Sequence, residues 1–234
     1  MDETNPQKMQ FGVAWRALRR LIADPEDTAQ VFQITRAMAG PSVEKGFNRF
    51  KATSEGREIL DAEIDLLDTL RDREQLRTLR PDSLGRHYLA FMEQENLSAD
   101  GLVEASEDGE QWANANMARY GQRLRDQHDL WHTLTRYGRD ELGELCLLAF
   151  TYAQTRNRGI GLIVLMGMLQ LRKTYGNGVY RAARRGYRDG RRAAWLPGVA
   201  WEQMMARPID EVRASLGVPE PISYQALKAT FAAA

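Results

Sequence analysis

Apolar side chains recur every three to four residues along most of this chain, and alternating β-branched runs are scarce. That period belongs to the α-helix, where positions i, i+3, i+4 and i+7 share one face. The pattern predicts an all-α fold. Phe11, Trp15, Leu18 and Ile22 form one stripe that Asp24–Pro25 stops, and a second short helix runs from about Thr28 to Ala39 before Gly40–Pro41. Ile59, Ile64, Leu67 and Leu70 continue the pattern as far as Pro81. Asp82 or Ser83 then caps a helix through Leu84, Tyr88, Phe91 and Met92. No internal repeat or low-complexity linker breaks the 234 residues, a length that one helical core can organise. A single multi-helix domain over residues 1–234 is expected.

Charge and composition remove several classes of function. Net charge is zero, so no global basic field exists to hold nucleic acid by counterion release. The single cysteine excludes an internal disulfide and fits a reducing compartment. The polar, acidic start MDETNPQKMQ is neither a secretory signal nor a transit peptide. The most apolar run, Gly159 to Leu171, falls short of the roughly 20 residues a spanning helix needs. It reads as a buried helix or the wall of an apolar pocket. The acidic stretch 93–110 reads as a solvated loop.

The chemistry concentrates in HDLWHTLTRYGRDELGE, residues 128–144. His128 and His132 are four apart, offset by only about 40° on a helix, and Asp129 shares the same broad face. The helix is expected to begin near Glu110, with Met117, Tyr120 and Leu124 on its apolar stripe, and to end at Tyr137–Gly138. Both histidines thus fall where core residues belong. A buried imidazole without a partner is costly, and a metal supplies one. Asp140 can cap the next helix, which carries Glu144, Leu145, Leu148 and Tyr152 inward, so an antiparallel neighbour could swing Glu144 back onto the histidines. Gly143 beside Glu144 allows close backbone approach. His128, Asp129, His132 and Glu144 are therefore the candidate metal ligands and catalytic residues. Such a donor set suits zinc, iron or manganese, and its ligand types do not choose among them.

Other candidates receive plainer readings. His87 is taken as structural, and Cys146, in LCLLAF, as a buried inert thiol. Between Arg172 and Arg192 the only acid is Asp189. Two readings of that stretch stay open: a solvated face balancing the acidic loop, or a surface for anionic lipid head groups or a substrate carboxylate or phosphate. Gly161 and Gly167 leave room beside the apolar run, which tips the reading toward a greasy ligand near a membrane surface.

Three ordered segments, LRPDSLGRHYLAFMEQENLS, LRDQHDLWHTLTRYGRDELGE and VAWEQMMARPIDEVRASLGV, resemble the Coq4 proteins of ubiquinone (coenzyme Q) biosynthesis. The resemblance spans roughly residues 75–217 and centres on H-D-x-x-H-x(11)-E, while residues 1–70 carry little of it. It implies a largely helical fold and a divalent metal, zinc first and iron next, on His128, Asp129, His132 and Glu144. An isoprenoid tail would lie in an apolar channel between helices. The implied reaction is C1 decarboxylation, on an oxidative view coupled to hydroxylation, of a polyprenylated 4-hydroxybenzoate-type intermediate. Implied partners are other ubiquinone biosynthesis proteins and a membrane surface bound peripherally, and a homodimer is compatible with this. The missing transit peptide and the charged segment 137–141 depart from eukaryotic members. The first suggests a bacterial member in the cytoplasm or on the cytoplasmic face of the inner membrane, and the second bears on which partners dock there.

The sequence also carries rival readings. One is a non-catalytic lipid-binding scaffold that organises other enzymes. The other is an HD-type phosphohydrolase, for which His87 is the sole upstream histidine.

Overall fold

The computed structural model describes residues 9–23, 27–101, 103 and 112–232. The stop at Asp24–Pro25 and residues 102 and 104–110 of the acidic stretch lie outside them, and the helix expected from near Glu110 starts instead at Ala115, where the Asn114 side chain caps it. Among the described residues there are helices and no strands, as the periodicity requires. In chain order they are α1 (Phe11–Ala23), α2 (Thr28–Ala37), α3 (Ser42–Phe50), α4 (Ser54–Asp61), α5 (Leu66–Arg71), α6 (Arg73–Thr78) and α7 (Leu84–Gln94). Then follow α8 (Ala115–Asp126), α9 (His128–Thr135), α10 (Glu141–Thr155), α11 (Arg158–Tyr175) and α12 (Gly178–Arg192). The chain closes with α13 (Trp201–Met204), α14 (Ile209–Leu216) and α15 (Ile222–Ala232).

Side-chain caps set many of these starts. The Ser83 hydroxyl accepts from the Arg86 N–H, and the Asp140 carboxylate accepts from Gly143 at 3.1 Å. The stretch expected to run through Ile59 to Leu70 is instead three short helices. Glu63 takes a left-handed φ of 53°, and Asp65 and Asp72 each cap a fresh start, so local capping chemistry interrupts the apolar period.

The N-terminal stripe is also corrected. Ala14, Ala17 and Leu18 face inward, whereas Phe11 and Trp15 are more than 60% exposed. The small inner face lets α1 lie close on α2, and Leu18 shares a cluster with Ile34 and with Ile163 of α11. The apolar run in α11 is likewise two-sided. Ile160, Ile163, Val164 and Leu171 are buried while Leu165 and Leu169 are exposed. No described helix is long and apolar enough to cross a membrane. A Cβ at Gly161 would press on the Tyr152 ring and one at Gly167 on Leu145, so these glycines let those two side chains pack close to the helix.

The largest core cluster brings Tyr88 of α7, Trp131 and Leu134 of α9, Leu142 and Phe150 of α10, Trp201 of α13 and Val212 of α14 together. The three segments that carry the resemblance meet here. Leu84 N–H donates to Arg207 C=O and Gly85 N–H to Met205 C=O, joining the first segment to the third. Trp201 donates its indole N–H to Gln127 at 2.7 Å, and Arg213 donates to the Leu134 carbonyl at 2.6 Å, joining the third to the second.

Candidate metal centre

The helix carrying the histidines is not continuous with the one before it. Gln127 sits between α8 and α9 with ψ near 0°, fully buried, its side chain held by Trp201. Arg123, one turn earlier, forms a bidentate pair with Glu202 at 2.6 and 2.9 Å and donates to the Val199 carbonyl. These anchors hold the junction of α8 and α9 against the third segment, and the projected stripe still buries Tyr120, Trp131 and His132. The far end also differs from expectation. Helix α9 stops at Thr135, with Arg136 in a left-handed conformation (φ 60°) rather than at Gly138.

One turn of α9 carries the two imidazoles, whose ring centroids lie 4.9 Å apart. One donor atom from each of His128, Asp129 and His132 lies within 4.8 Å of the others, a spacing that fits one shared cation. Helix α10 returns alongside, and its first turn carries Glu144. One carboxylate oxygen is 3.2 Å from His132 Nε2 and the other 3.8 Å from His128 Nε2. The close α9–α10 turn depends on Gly143, where a Cβ would collide with the Gly138 carbonyl.

His132 is the best-defined member. It is 1% exposed, Phe91 of α7 stacks on its ring, and its Nδ1 lies 3.0 Å from the Tyr137 carbonyl. A carbonyl only accepts, so Nδ1 carries the proton and Nε2 is the free donor atom in the neutral ring. That Nε2 is buried with no hydrogen-bond partner: Glu144 is near, but out of line for a hydrogen bond. An orphaned buried nitrogen beside a second imidazole and a carboxylate fits a metal ligand.

The electrostatics are those of a crowded donor set. Burial, with His132 as a charged neighbour, lowers the pKa of His128. Burial opposes charge on His132 as well, but the nearby Glu144 carboxylate outweighs it and raises that pKa. For Glu144, burial would raise the pKa, yet His132 and His128 hold it below the ordinary carboxylate value. His128 and Glu144 keep 27% and 31% of their side-chain surface, so the centre is open on one side and closed behind His132. Arg139 stands at that opening, its Nε 3.8 Å from Glu144.

The lesser candidates resolve simply. Cys146 is fully buried and burial pushes its thiol pKa well up, as an inert thiol requires. His87 is exposed on α7, so it neither fills the core nor joins the centre, and the HD-type reading loses its upstream histidine. Two hollows of about 270 and 430 Å³ are lined by residues 70–100 and 47–116 respectively, and none of the four candidate ligands lines either. The Tyr137 carbonyl, the Phe91 ring and Arg139 were not foreseen as parts of the site. Only the charge of Arg139 within the motif offered a signal.

Fold and site together define a helical protein with a two-histidine, carboxylate-bearing centre on two adjoining helices. The chain belongs to the Coq4 family, described as coenzyme Q (ubiquinone) biosynthesis protein Coq4, whose pattern it matches over residues 4–221. It is similar to the mitochondrial ubiquinone biosynthesis protein COQ4 of Podospora anserina, 30% identical over 177 residues, covering 74% of this chain and 56% of that protein. The corresponding protein of Scheffersomyces stipitis is 28% identical over 174 residues, covering 74% and 53%. The chain thus spans little more than half the length of these relatives. A crystal structure described as a candidate ubiquinone biosynthesis protein from Nostoc punctiforme superposes with a TM-score of 0.65. It covers 91% of this chain and all of its own at 19% identity, which shows a shared fold.

Proposed function

We propose that this protein is a metal-dependent decarboxylase of ubiquinone biosynthesis, acting at ring carbon C1 of a polyprenylated 4-hydroxybenzoate-type acid. The observation that carries the reading is the buried, unpartnered Nε2 of His132 beside His128 and Glu144. His128, His132 and Glu144 would hold a divalent metal, zinc first and iron next, with Asp129 as a fourth ligand or as a base that orients water. The bound metal supplies a Lewis acid for negative charge developing as the carboxyl group leaves.

The chain's own residues set the stage for that step. The Tyr137 carbonyl fixes the His132 tautomer and ring plane, and Phe91 shields one face of the ring from water. The open side at His128 and Glu144 admits the aromatic ring. Cleavage of the bond from C1 to the carboxyl carbon leaves its electron pair on the ring, where a proton takes it up. In an oxidative version dioxygen supplies a hydroxyl oxygen, and a reductant must provide two electrons. The isoprenoid tail would extend outward from that opening.

A membrane surface is the proposed setting, at the cytoplasmic face of a bacterial inner membrane. Helices α1, α2, α11 and α12 pack in sequence, and every charged side chain on them is basic except the buried Asp189. Phe11, Trp15, Leu165 and Leu169 stand exposed among those cations. Aromatic and aliphatic side chains between arginines suit anionic head groups. The same surface favours the rival reading, a scaffold that presents the lipid to other ubiquinone biosynthesis proteins.

Metal-loaded protein incubated with 3-prenyl-4-hydroxybenzoate labelled in the carboxyl carbon tests the proposal. Labelled CO₂ is expected from the native chain and not from a folded His128→Ala variant. Equal release from both would reject it. No release from the native chain, with or without dioxygen and reductant, would favour the scaffold.

A further inference from the structure

Arg139 lies in the turn between α9 and α10, immediately before the Asp140 cap. Its surroundings differ from those of its cationic neighbours. Arg136, three residues earlier, is committed to Asp210 at 2.7 Å and Glu220 at 2.6 Å. Lys228 is committed to Asp140 at 2.7 Å. The acid that Arg139 meets is Glu144, at a loose 3.8 Å, and that carboxylate faces the two imidazoles. The Arg139 side chain is 39% exposed, on the side where His128 and Glu144 also reach solvent.

Charge balance indicates what this arrangement lacks. A divalent cation at the centre would be neutralised by the carboxylates of Asp129 and Glu144, and neutral imidazoles add nothing. With Glu144 occupied by the cation, Arg139 is left as one surplus positive charge at the opening. A planar guanidinium matches a carboxylate with two parallel N–H donors, which a point charge such as lysine cannot reproduce.

We infer that Arg139 is the anion seat of this site: it takes the carboxylate of an aromatic acid and turns that group toward the metal. This rests on the aromatic-acid reading above and adds the residue that distinguishes the acid from its decarboxylated product. Once CO₂ has left, the seat has no anion to hold, so the phenolic product binds more weakly and departs.

Calorimetry on the full zinc-loaded chain tests the inference, with 3-prenyl-4-hydroxybenzoic acid and its carboxyl-free counterpart 2-prenylphenol as probes. The native chain is expected to prefer the acid by on the order of 10- to 100-fold. Arg139→Gln should cut that preference at least fivefold while leaving phenol affinity and zinc content unchanged, and Arg139→Lys should lose less of it. A preference undiminished in Arg139→Gln would overturn the seat, as would equal binding of the two probes by the native chain. If neither probe binds the native chain, the aromatic-acid reading fails and the seat fails with it.

Discussion

His132 is held at one nitrogen by a backbone carbonyl and stacked by Phe91, which leaves its other nitrogen pointed and unsatisfied. Removing the ring in His132→Ala should weaken metal binding by more than the roughly 10- to 100-fold that outer partners are worth, as read by competition with a chromophoric chelator. Proton linkage gives a second test. The raised pKa of His132 means its proton stabilises the metal-free fold below the ordinary histidine value, a contribution lost as pH rises through the folded value. Metal requires the deprotonated ring, whereas His128, with its lowered pKa, is already neutral. The rise in melting temperature on adding zinc should therefore be larger at pH 8 than at pH 6. An increment that shrinks as pH rises would contradict this. Gly143→Ala should cost about 2 kcal/mol or more, seen as a lower melting temperature, because the added Cβ collides with the Gly138 carbonyl. Zinc affinity should fall with it, since Glu144 is displaced.

At the level of elements, α9 is aimed by its contacts with a distant part of the chain. Arg123 is 3% exposed and paired with Glu202, so Arg123→Ala strands a largely buried carboxylate and should lower stability by about 3 kcal/mol in urea denaturation. These contacts mark the limit of what the sequence made legible. The H-D-x-x-H spacing predicted two imidazoles on one helical turn, and the Asp140 cap predicted the return of Glu144, because both rest on local geometry. The break at Gln127 was not legible, since it depends on Trp201 some seventy residues away. The three short helices before Pro81 were missed because Asp65 and Asp72 cap new starts inside an apolar pattern. Periodicity also could not say which α1 positions face inward, because Phe11 and Trp15 lie outside a face built from small residues.

For the whole molecule, a neutral net charge hides a strong division. Helices α1, α2, α11 and α12 are strongly basic and carry exposed aromatic and aliphatic side chains, which a zero total gives no hint of. Flotation with phosphatidylglycerol-containing vesicles should recover the native chain at low salt. Binding should fall in high salt and be lost in a Trp15→Glu, Leu169→Glu double variant that still folds. Undiminished binding by that variant would place the membrane contact elsewhere. The central claim is that α9 and α10 together build one metal centre. X-ray absorption on zinc-loaded protein tests it most directly: two nitrogen donors from imidazole and at least one carboxylate oxygen at about 2.0–2.2 Å are predicted, with the imidazole signal reduced in His132→Ala. A native spectrum without imidazole scattering, or one that His132→Ala leaves unchanged, would contradict the account.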